Sequence, residues 1–253
     1  MSSLFMDKYD SYDEKTDLKY FKPIFALSQV LGALSVILAA VWMGNHLGGY
    51  EWGTGNQFNY HPLFMTMAMI FLYGEAMLVY RVFRHEKKSL LKLIHIVLHT
   101  LIFVFFVIAL DCVFAAHGYL NEPNMFTLHS YVGLSTVILF CCQYVSGFVT
   151  FFLPGLSESW RTWYLPIHQK FGVLIFMLCV ASSLMGIAER AAWQIYNSSK
   201  GTCPGFSCSE STLVNFLGFN ILLYAISVLY LVINPKYIRR PLPEEDRQVL
   251  TSD

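Results

Sequence analysis

Histidines recur inside the long apolar stretches of this sequence, where ionisable side chains are rare. Five of the eight histidines lie in such stretches, and an ionisable group in an apolar span is a functional candidate by default. These five are His61, His95, His99, His129 and His168. A single histidine of this kind could equally be a packing residue that is hydrogen-bonded to a neighbouring helix. A set that sorts into pairs by depth favours a ligand role instead.

Two facing histidines are ligands that a haem iron can take on opposite sides of its ring. Two axial imidazoles leave no open coordination position, so such a haem carries electrons and does not react with a bound substrate. A zinc ion would need three or four ligands converging at about 2 Å. Paired histidines at two separate depths, with no cysteine or carboxylate beside them, fit a zinc site poorly.

The stretches that carry these histidines are long enough to cross a membrane. Hydrophobic residues make up 55% of the 253 residues and charged residues only 13%, against about 25% charged in a soluble protein. A helix of roughly 20 residues crosses the bilayer core, and continuous apolar runs without alternation exclude a β-barrel. The sequence therefore predicts an all-α, polytopic membrane protein with six transmembrane helices. They are expected at Pro23–Gly44, Tyr60–Tyr80, Leu91–Ala116, Phe126–Phe152, Pro166–Arg190 and Leu213–Asn234.

Basic residues predict which helix ends face the cytoplasm. Of the seventeen lysines and arginines, fifteen lie in the two tails, in the loops after the second and fourth helices or just inside the helices that follow these loops. Only Arg190 and Lys200 lie at the other end of the helices. Because positive charge accumulates in cytoplasmic segments, residues 1–22 and 235–253 are expected to be cytoplasmic tails of a transmembrane domain at 23–234. The net charge is zero, so it does not suggest nucleic acid as a partner.

The last outer loop carries two further features. Cys203 and Cys208 are expected to form a disulfide, because the loop faces a non-cytoplasmic compartment and Pro204 and Gly205 favour a turn between them. Two free thiols are the alternative. Asn197 opens a glycosylation sequon.

With this orientation, depth sorts four of the histidines into two pairs. His61 and His129 lie near the start of the second and fourth helices, which both run inward, so they form an outer pair. His95 and His168 lie near the start of the third and fifth helices, so they form an inner pair. Two irons at these levels would be roughly 24 Å apart at 1.5 Å per helical residue. His99 lies one turn after His95 on the same helix face, and only the depth of His168 favours His95 as the ligand.

The residues around these histidines form five short motifs along the chain. They are Phe58-Asn59-Tyr60-His61-Pro62, Gly74-Glu75-Ala76-Met77-Leu78-Val79-Tyr80-Arg81, Lys92-Leu93-Ile94-His95, Leu128-His129-Ser130-Tyr131-Val132-Gly133 and Pro166-Ile167-His168. In this order they resemble the cytochrome b561 family of ascorbate-dependent transmembrane oxidoreductases, over the second to fifth helices. Tyr131 departs from the family pattern, which usually has tryptophan there.

This resemblance implies a four-helix haem-binding core within the six helices, with two haem b groups. It implies that His61 and His129 ligate the outer haem, that His95 and His168 ligate the inner haem, and that Arg81 is a haem-binding residue. It also implies that cytoplasmic ascorbate reduces the inner haem and that the outer haem reduces monodehydroascorbate or ferric iron. The expected assembly is a homodimer in a secretory-vesicle, lysosomal, endosomal or plasma membrane.

Basic residues near the inner pair suit an anionic donor, and ascorbate is a monoanion at neutral pH. Lys88 and Lys92 lie four residues apart on one helix face beside His95, and Arg161 precedes His168 by about two turns. The resemblance implies that these three cations bind ascorbate. The alternative is that they are ordinary positive-inside charges or that they bind haem propionates.

On the outer side, the resemblance implies a role for His117, which is expected in a loop. It matches a family histidine near the acceptor site, although Ala116 stands where the family motif can have phenylalanine. The acceptor itself is not determined by the sequence. The run from Val79 to Arg84 resembles the vesicle branch, whose members recycle the ascorbate radical.

Two other functions are compatible with buried histidines. In a carrier or channel they would relay protons or bind a transition metal, and haem content distinguishes that function from electron transfer. A membrane anchor of a quinone-linked respiratory complex also uses bis-histidine haem. Activity without partner subunits would exclude the anchor.

Overall fold

Six long helices make up the part of the chain that the computed structural model describes, residues 18–196 and 208–240. They are α1 Phe21–His46, α2 Gly55–Val82, α3 Lys88–Leu120, α4 Leu128–Phe151, α5 Glu158–Ile195 and α6 Ser209–Ile233. Each is long and apolar enough to cross a membrane, and these two ranges contain no β-strand. The predicted fold class is therefore confirmed, and the protein is a multi-pass integral membrane protein.

The fifth helix begins eight residues before its predicted start at Pro166. Its first residue is Glu158, and the side-chain oxygen of Ser157 accepts a hydrogen bond from the backbone N–H of Trp160 at 3.4 Å. Serine at this position satisfies a helix end that would otherwise lack a partner. Pro166 then lies inside the helix. The predicted boundary was wrong because the apolar span is shorter than the helix that contains it.

The third helix is also longer than predicted, and this changes the position of His117. α3 spans 33 residues and ends at Leu120, and the following Asn121 has φ 57°. Asparagine tolerates this left-handed conformation, which is a common way to end a helix. His117 therefore lies in the last turn of α3, and the prediction that it lies in a loop was wrong.

The helices pack as two hairpins with a third pair beside them. α2 packs mainly on α3, α4 packs mainly on α5, and α1 packs on α6, whereas α3 and α4 touch only sparsely. The α1–α6 contact includes the side-chain amide of Asn220, which donates to the carbonyl of Leu31 and to the hydroxyl of Ser35, both at 2.7 Å. The sparse contact between the two hairpins leaves room for a large group between them.

The second helix is irregular along its length. It opens with a 3₁₀ turn at Gly55–Asn59, continues as α-helix, and changes to π-helix over Thr66–Leu72 before regular α-helix resumes at Tyr73. A π-helical segment is rare and often lies at a functional site. It re-aims the side chains and carbonyl groups that follow it.

Candidate functional site

Two pairs of imidazole rings face each other between the hairpins, one near each end of the bundle. The ring centres of His61 and His129 are 6.2 Å apart, and those of His95 and His168 are 6.4 Å apart. A metal with two axial imidazoles would hold the ring centres roughly 6 Å apart, because each metal–nitrogen bond is about 2 Å long. Both pairs fit one iron between the rings. We call the end with His95 and His168 the inner end and the opposite end the outer end.

In the hairpin of α2 and α3, each histidine is hydrogen-bonded to a backbone carbonyl of the other helix. His61 of α2 hydrogen-bonds through Nδ1 to the carbonyl of Ala109 in α3 at 3.1 Å, and His95 of α3 hydrogen-bonds through Nδ1 to the carbonyl of Ala76 in α2 at 2.8 Å. A carbonyl only accepts, so Nδ1 carries the proton in both rings. The Nε2 atom of each ring then keeps its lone pair, as a metal ligand requires.

The second hairpin follows this pattern for one of its histidines. His129 Nδ1 donates to the carbonyl of Ser182 at 2.8 Å. The Nδ1 atom of His168 is buried without an acceptor among the described residues. The backbone carbonyl of His168 instead accepts from the side-chain amide of Gln143 at 2.5 Å. Three of the four candidate ligands therefore have a fixed tautomer, and His168 is held through its main chain.

Two glycines make room for the rings of α4 and α5. A Cβ atom at Gly186 would lie 2.7 Å from Cε1 of His129, and a Cβ atom at Gly147 would lie 2.7 Å from Cε1 of His168. His129 and Gly147 in α4 are eighteen residues apart, as are His168 and Gly186 in α5. Eighteen residues are five helical turns of 3.6 residues, so histidine and glycine share one face of each helix. Because the helices run in opposite directions, each histidine meets a glycine of its neighbour.

We expect alanine at Gly186 to displace the His129 ring and to lower binding at the outer pair, and alanine at Gly147 to do the same at the inner pair. Each variant should lose up to one haem per protein, because real Cβ atoms essentially never lie this close to a ring. Haem-to-protein ratios of the purified variants measure this.

Gly172→Ala in α5 is the matched control. Its added Cβ would lie 3.7 Å from Nε2 of Gln143, an ordinary contact distance, so haem content should not change. Unchanged haem in both Gly147→Ala and Gly186→Ala would mean that the rings can shift without loss of ligation, and would contradict this prediction.

His99 lies beside the inner pair rather than across from it. Its ring centre is 4.4 Å from that of His95, 5.4 Å from that of Tyr73 and 5.6 Å from that of Phe140. Its Nδ1 is buried without a partner among the described residues. The arrangement suits a packing residue next to the ligands, and the choice of His95 as the ligand stays a prediction.

The three predicted inner-end cations are brought together. The ammonium of Lys92 donates to the carbonyl of Phe151 at 3.1 Å, and the guanidinium of Arg161 donates to the carbonyl of Leu153 at 3.2 Å. Lys88 and Arg161 are both close enough to Lys92 for electrostatic repulsion. Three like charges thus gather where α4 ends, which is a suitable place for an anion.

Arg81, predicted to bind haem, lies against a different helix. Its guanidinium donates to the carbonyl of Val232, in the last turn of α6, at 2.6 Å. This bond ties α2 to α6 and satisfies a carbonyl at a helix end. The haem-binding role of Arg81 stays a prediction.

At the outer end, a stack of three side chains lies beside the outer pair. The ring of Phe58 is stacked on that of His117 with centres 6.1 Å apart, and the guanidinium carbon of Arg190 lies 4.9 Å from the centre of the Phe58 ring. His117 Nδ1 is 2.9 Å from the side-chain oxygen of Asn124. His61, His117, His129 and Arg190 all line one largely apolar cavity. The sequence predicted His117 at this site but did not predict Arg190 or Phe58.

The features predicted for the last outer loop lie mostly outside the described residues. Cys208 is disulfide-bonded, whereas Cys203 and Asn197 fall outside the two described ranges. Their pairing and glycosylation stay predictions.

The fold and site define a class of protein: a six-helix membrane protein with two facing imidazole pairs at opposite ends of the bundle. Residues 60–194 match the family described as eukaryotic cytochrome b561, and the chain belongs to this family. The matched region contains all four paired histidines. The protein is a transmembrane oxidoreductase, and the family name implies haem b.

Curated relatives cover nearly the whole chain. A Caenorhabditis elegans homologue of the transmembrane ascorbate-dependent reductase CYB561 is 42% identical over 97% of this chain and 95% of its own length. The Bos taurus transmembrane ascorbate-dependent reductase CYB561 is 38% identical over 90% of this chain and 88% of its own length. The Homo sapiens lysosomal membrane ascorbate-dependent ferrireductase CYB561A3 is 36% identical over 88% of this chain and 93% of its own length.

Proposed function

We propose that this protein carries electrons from ascorbate at the inner end to monodehydroascorbate or ferric iron at the outer end, through two haem b groups. His95 and His168 hold the inner haem, and His61 and His129 hold the outer one. Haem bound at these two levels supplies one-electron Fe(III)/Fe(II) chemistry. The observation that carries the proposal is the presence of two imidazole pairs, each spaced for one iron, at opposite ends of the bundle.

In α4, His129 of the outer pair and Gly147, which lies against His168 of the inner pair, are five turns apart. The two pairs are therefore separated by roughly 27 Å at 1.5 Å per residue. Packed aromatic rings fill part of this interval. The ring of Phe140 lies 5.6 Å from that of Phe106 and 5.9 Å from that of Tyr73, measured between ring centres. Such packing excludes water between the levels and keeps the two redox groups at a fixed distance.

The inner cations supply the donor site. An ascorbate monoanion is attracted by Lys88, Lys92 and Arg161, and attraction at close range raises both its affinity and its rate of encounter. Lys92 and Arg161 are half-buried and tied to the end of α4. Lys92 thus reaches α4 from α3, and Arg161 precedes His168 by seven residues, about two turns, in α5.

The outer cavity supplies the acceptor site. His117 and Arg190 both contact the ring of Phe58, which lies next to His61. A guanidinium and an imidazole suit an anionic acceptor such as monodehydroascorbate, and histidine can also bind ferric iron. One relative is a lysosomal ferrireductase, which supports ferric iron as the second candidate acceptor.

The proposed topology places residues 1–22 and 235–253 in the cytoplasm, so ascorbate is the cytoplasmic donor. The distribution of basic residues supports it, since the inner-end loop between α2 and α3 holds Arg84 and Lys87. The lysosomal relative supports an endosomal or lysosomal membrane, and the vesicle-type motif supports a secretory vesicle. A homodimer is the proposed assembly.

Purified protein in liposomes that contain ascorbate tests the proposal. We expect haem in the protein, reduction of that haem by enclosed ascorbate, and re-oxidation when monodehydroascorbate or a ferric chelate is added outside. Stopped-flow spectra of oriented vesicles measure both half-reactions. Colourless protein would favour a carrier. Haem that ascorbate reduces equally well from either side would contradict a sided donor site.

A further inference from the structure

A carboxyl group lies among the helices at a place that electron transfer as proposed does not use. Glu75 follows the π-helical segment of α2, and its carboxyl accepts from the side-chain amide of Gln29 at 2.8 Å and faces the hydroxyl of Tyr224 at 3.4 Å. Both partners are neutral. Within the two described ranges, no lysine, arginine or histidine forms an ion pair with it. An unpaired carboxyl inside a membrane protein is costly and is a functional candidate.

The partners of Glu75 can serve both of its protonation states. The Tyr224 hydroxyl also lies 2.9 Å from the carbonyl of Phe71, and a hydroxyl has one proton to donate but can also accept. When Glu75 is ionised, Tyr224 can donate to it. When Glu75 is protonated, the acid O–H can donate to Tyr224, while Tyr224 donates to Phe71. The cluster therefore offers hydrogen bonds to a carboxylate and to a carboxylic acid.

Two glycines leave the space that Tyr224 occupies in this position. A Cβ atom at Gly74 would overlap the Tyr224 hydroxyl, and one at Gly32 would lie 2.8 Å from its Cε2. Tyr224 is fully buried, and Phe71 belongs to the π-helical segment. The ring of Tyr224 packs closely against both glycines, and its hydroxyl lies within reach of the Phe71 carbonyl and the Glu75 carboxyl. These contacts define a preorganised polar site.

The neighbouring residue links this site to the inner pair. The carbonyl of Ala76 holds Nδ1 of His95 at 2.8 Å, so Glu75 lies on α2 at the inner level. An electron that arrives there adds a negative charge in a medium of low dielectric constant, where charges interact strongly. A proton bound nearby would compensate that charge.

From these contacts we propose that Glu75 binds one proton when an electron occupies the inner level and releases it when the electron leaves. The inference rests on the proposed function, because it requires a redox group at His95 and His168. The ascorbate monoanion loses one electron and one proton and becomes the radical anion. A haem held by His95 and His168 would take the electron, and the carboxylate of Glu75 would take the proton. When the electron leaves the inner level, Glu75 releases its proton to solvent at the inner end, so no proton crosses the membrane.

Few other titratable groups face this part of α2. The titratable group that α6 places against Glu75 is Tyr224, and the side chain from α1 that contacts Glu75 is the neutral Gln29. From α3, His95 and His99 contact Ala76 and Tyr73. From α5, Cys179 lies near Tyr73. Glu75 is the only carboxyl among these contacts, so replacing it removes the only side chain among them that can give a carboxylic-acid band.

The test uses full-length, haem-loaded protein and two measurements. The first is the infrared difference spectrum between reduced and oxidised protein. We expect the C=O stretch of a protonated carboxylic acid to appear on reduction and to be absent from Glu75→Gln, which keeps the size and hydrogen-bonding capacity of the side chain. Tyr224→Phe should shift the band, because the acid loses its acceptor. Glu86→Gln, at an exposed carboxyl of the inner-end loop, should leave it unchanged.

The second measurement is the midpoint potential of the inner haem against pH. In the unaltered protein it should fall as pH rises, by up to about 59 mV per pH unit, the value of a tenfold change for one electron. The slope should flatten in Glu75→Gln and persist in Glu86→Gln. An unchanged band and slope in Glu75→Gln, with both haems bound and reduced by ascorbate, would overturn this inference alone. Protein that binds no haem, or haem that ascorbate cannot reduce, would overturn the proposed function as well.

Discussion

Replacing any one of the four paired histidines with alanine is expected to lower the haem content from about two per protein to about one. His61→Ala and His129→Ala should lose the outer haem, and His95→Ala and His168→Ala the inner one, because one axial imidazole does not replace the bis-histidine ligation that the paired rings provide. Haem-to-protein ratios, with optical spectra to identify the remaining haem, measure the outcome.

His99→Ala is the matched control, since His99 lies in the same helix as His95 with its ring only 4.4 Å away. It should keep both haems. Full haem content in His95→Ala together with loss in His99→Ala would move the inner ligand to His99. Full content in all four variants would remove the basis of the proposed function.

The six helices and the depth of the histidines could be predicted because both depend on local properties of the chain. A run of apolar residues gives a transmembrane helix whatever its neighbours are. Depth follows from the position of His61 or His168 within such a run. The sequence therefore predicted which histidines would be level with each other, and the structure brings those residues together.

Helix ends could not be predicted in this way, because they lie beyond the apolar run. The start of α5 depends on the side chain of Ser157, and the end of α3 depends on the left-handed conformation of Asn121. Both helices continue into polar sequence, and that is why His117 is helical rather than in a loop. Hydropathy contains no information about either cap.

The surroundings of the ring nitrogens could not be predicted either, since they depend on which backbone carbonyl lies opposite each ring. Ala76 and Ala109 have no distinctive side chain, yet their carbonyl groups orient two of the four histidines. One signal was present in the sequence: the equal interval from His129 to Gly147 and from His168 to Gly186. Five whole turns place each glycine on the same helix face as the histidine. This repeat could have indicated that the two glycines make room for histidine rings of the neighbouring helix.

Removing a cation at the inner end is expected to slow reduction by ascorbate while both haems stay bound. A charge-assisted hydrogen bond contributes about 1.5–3 kcal/mol, less where solvent screens it, and Lys92 and Arg161 are only half-buried. Because about 1.4 kcal/mol corresponds to tenfold in rate, Lys92→Ala or Arg161→Ala should slow the reaction by about tenfold. Stopped-flow reduction by ascorbate measures this, and reduction by dithionite, which does not require the site, should change little.

A structural role for the same cations is the competing explanation, because Lys92 and Arg161 donate to the carbonyl groups of Phe151 and Leu153 at the end of α4. A purely structural loss would lower the melting temperature and slow both reductants alike. Lys170→Ala is the matched control: it removes one exposed charge from α5, the helix that carries Arg161, and should leave ascorbate kinetics unchanged. Lys92→Arg should restore most of the rate, since it returns the charge. Variants Lys92→Ala and Arg161→Ala that both keep the original ascorbate kinetics, with full haem content, would show that these cations only cap α4, and would place the donor site elsewhere.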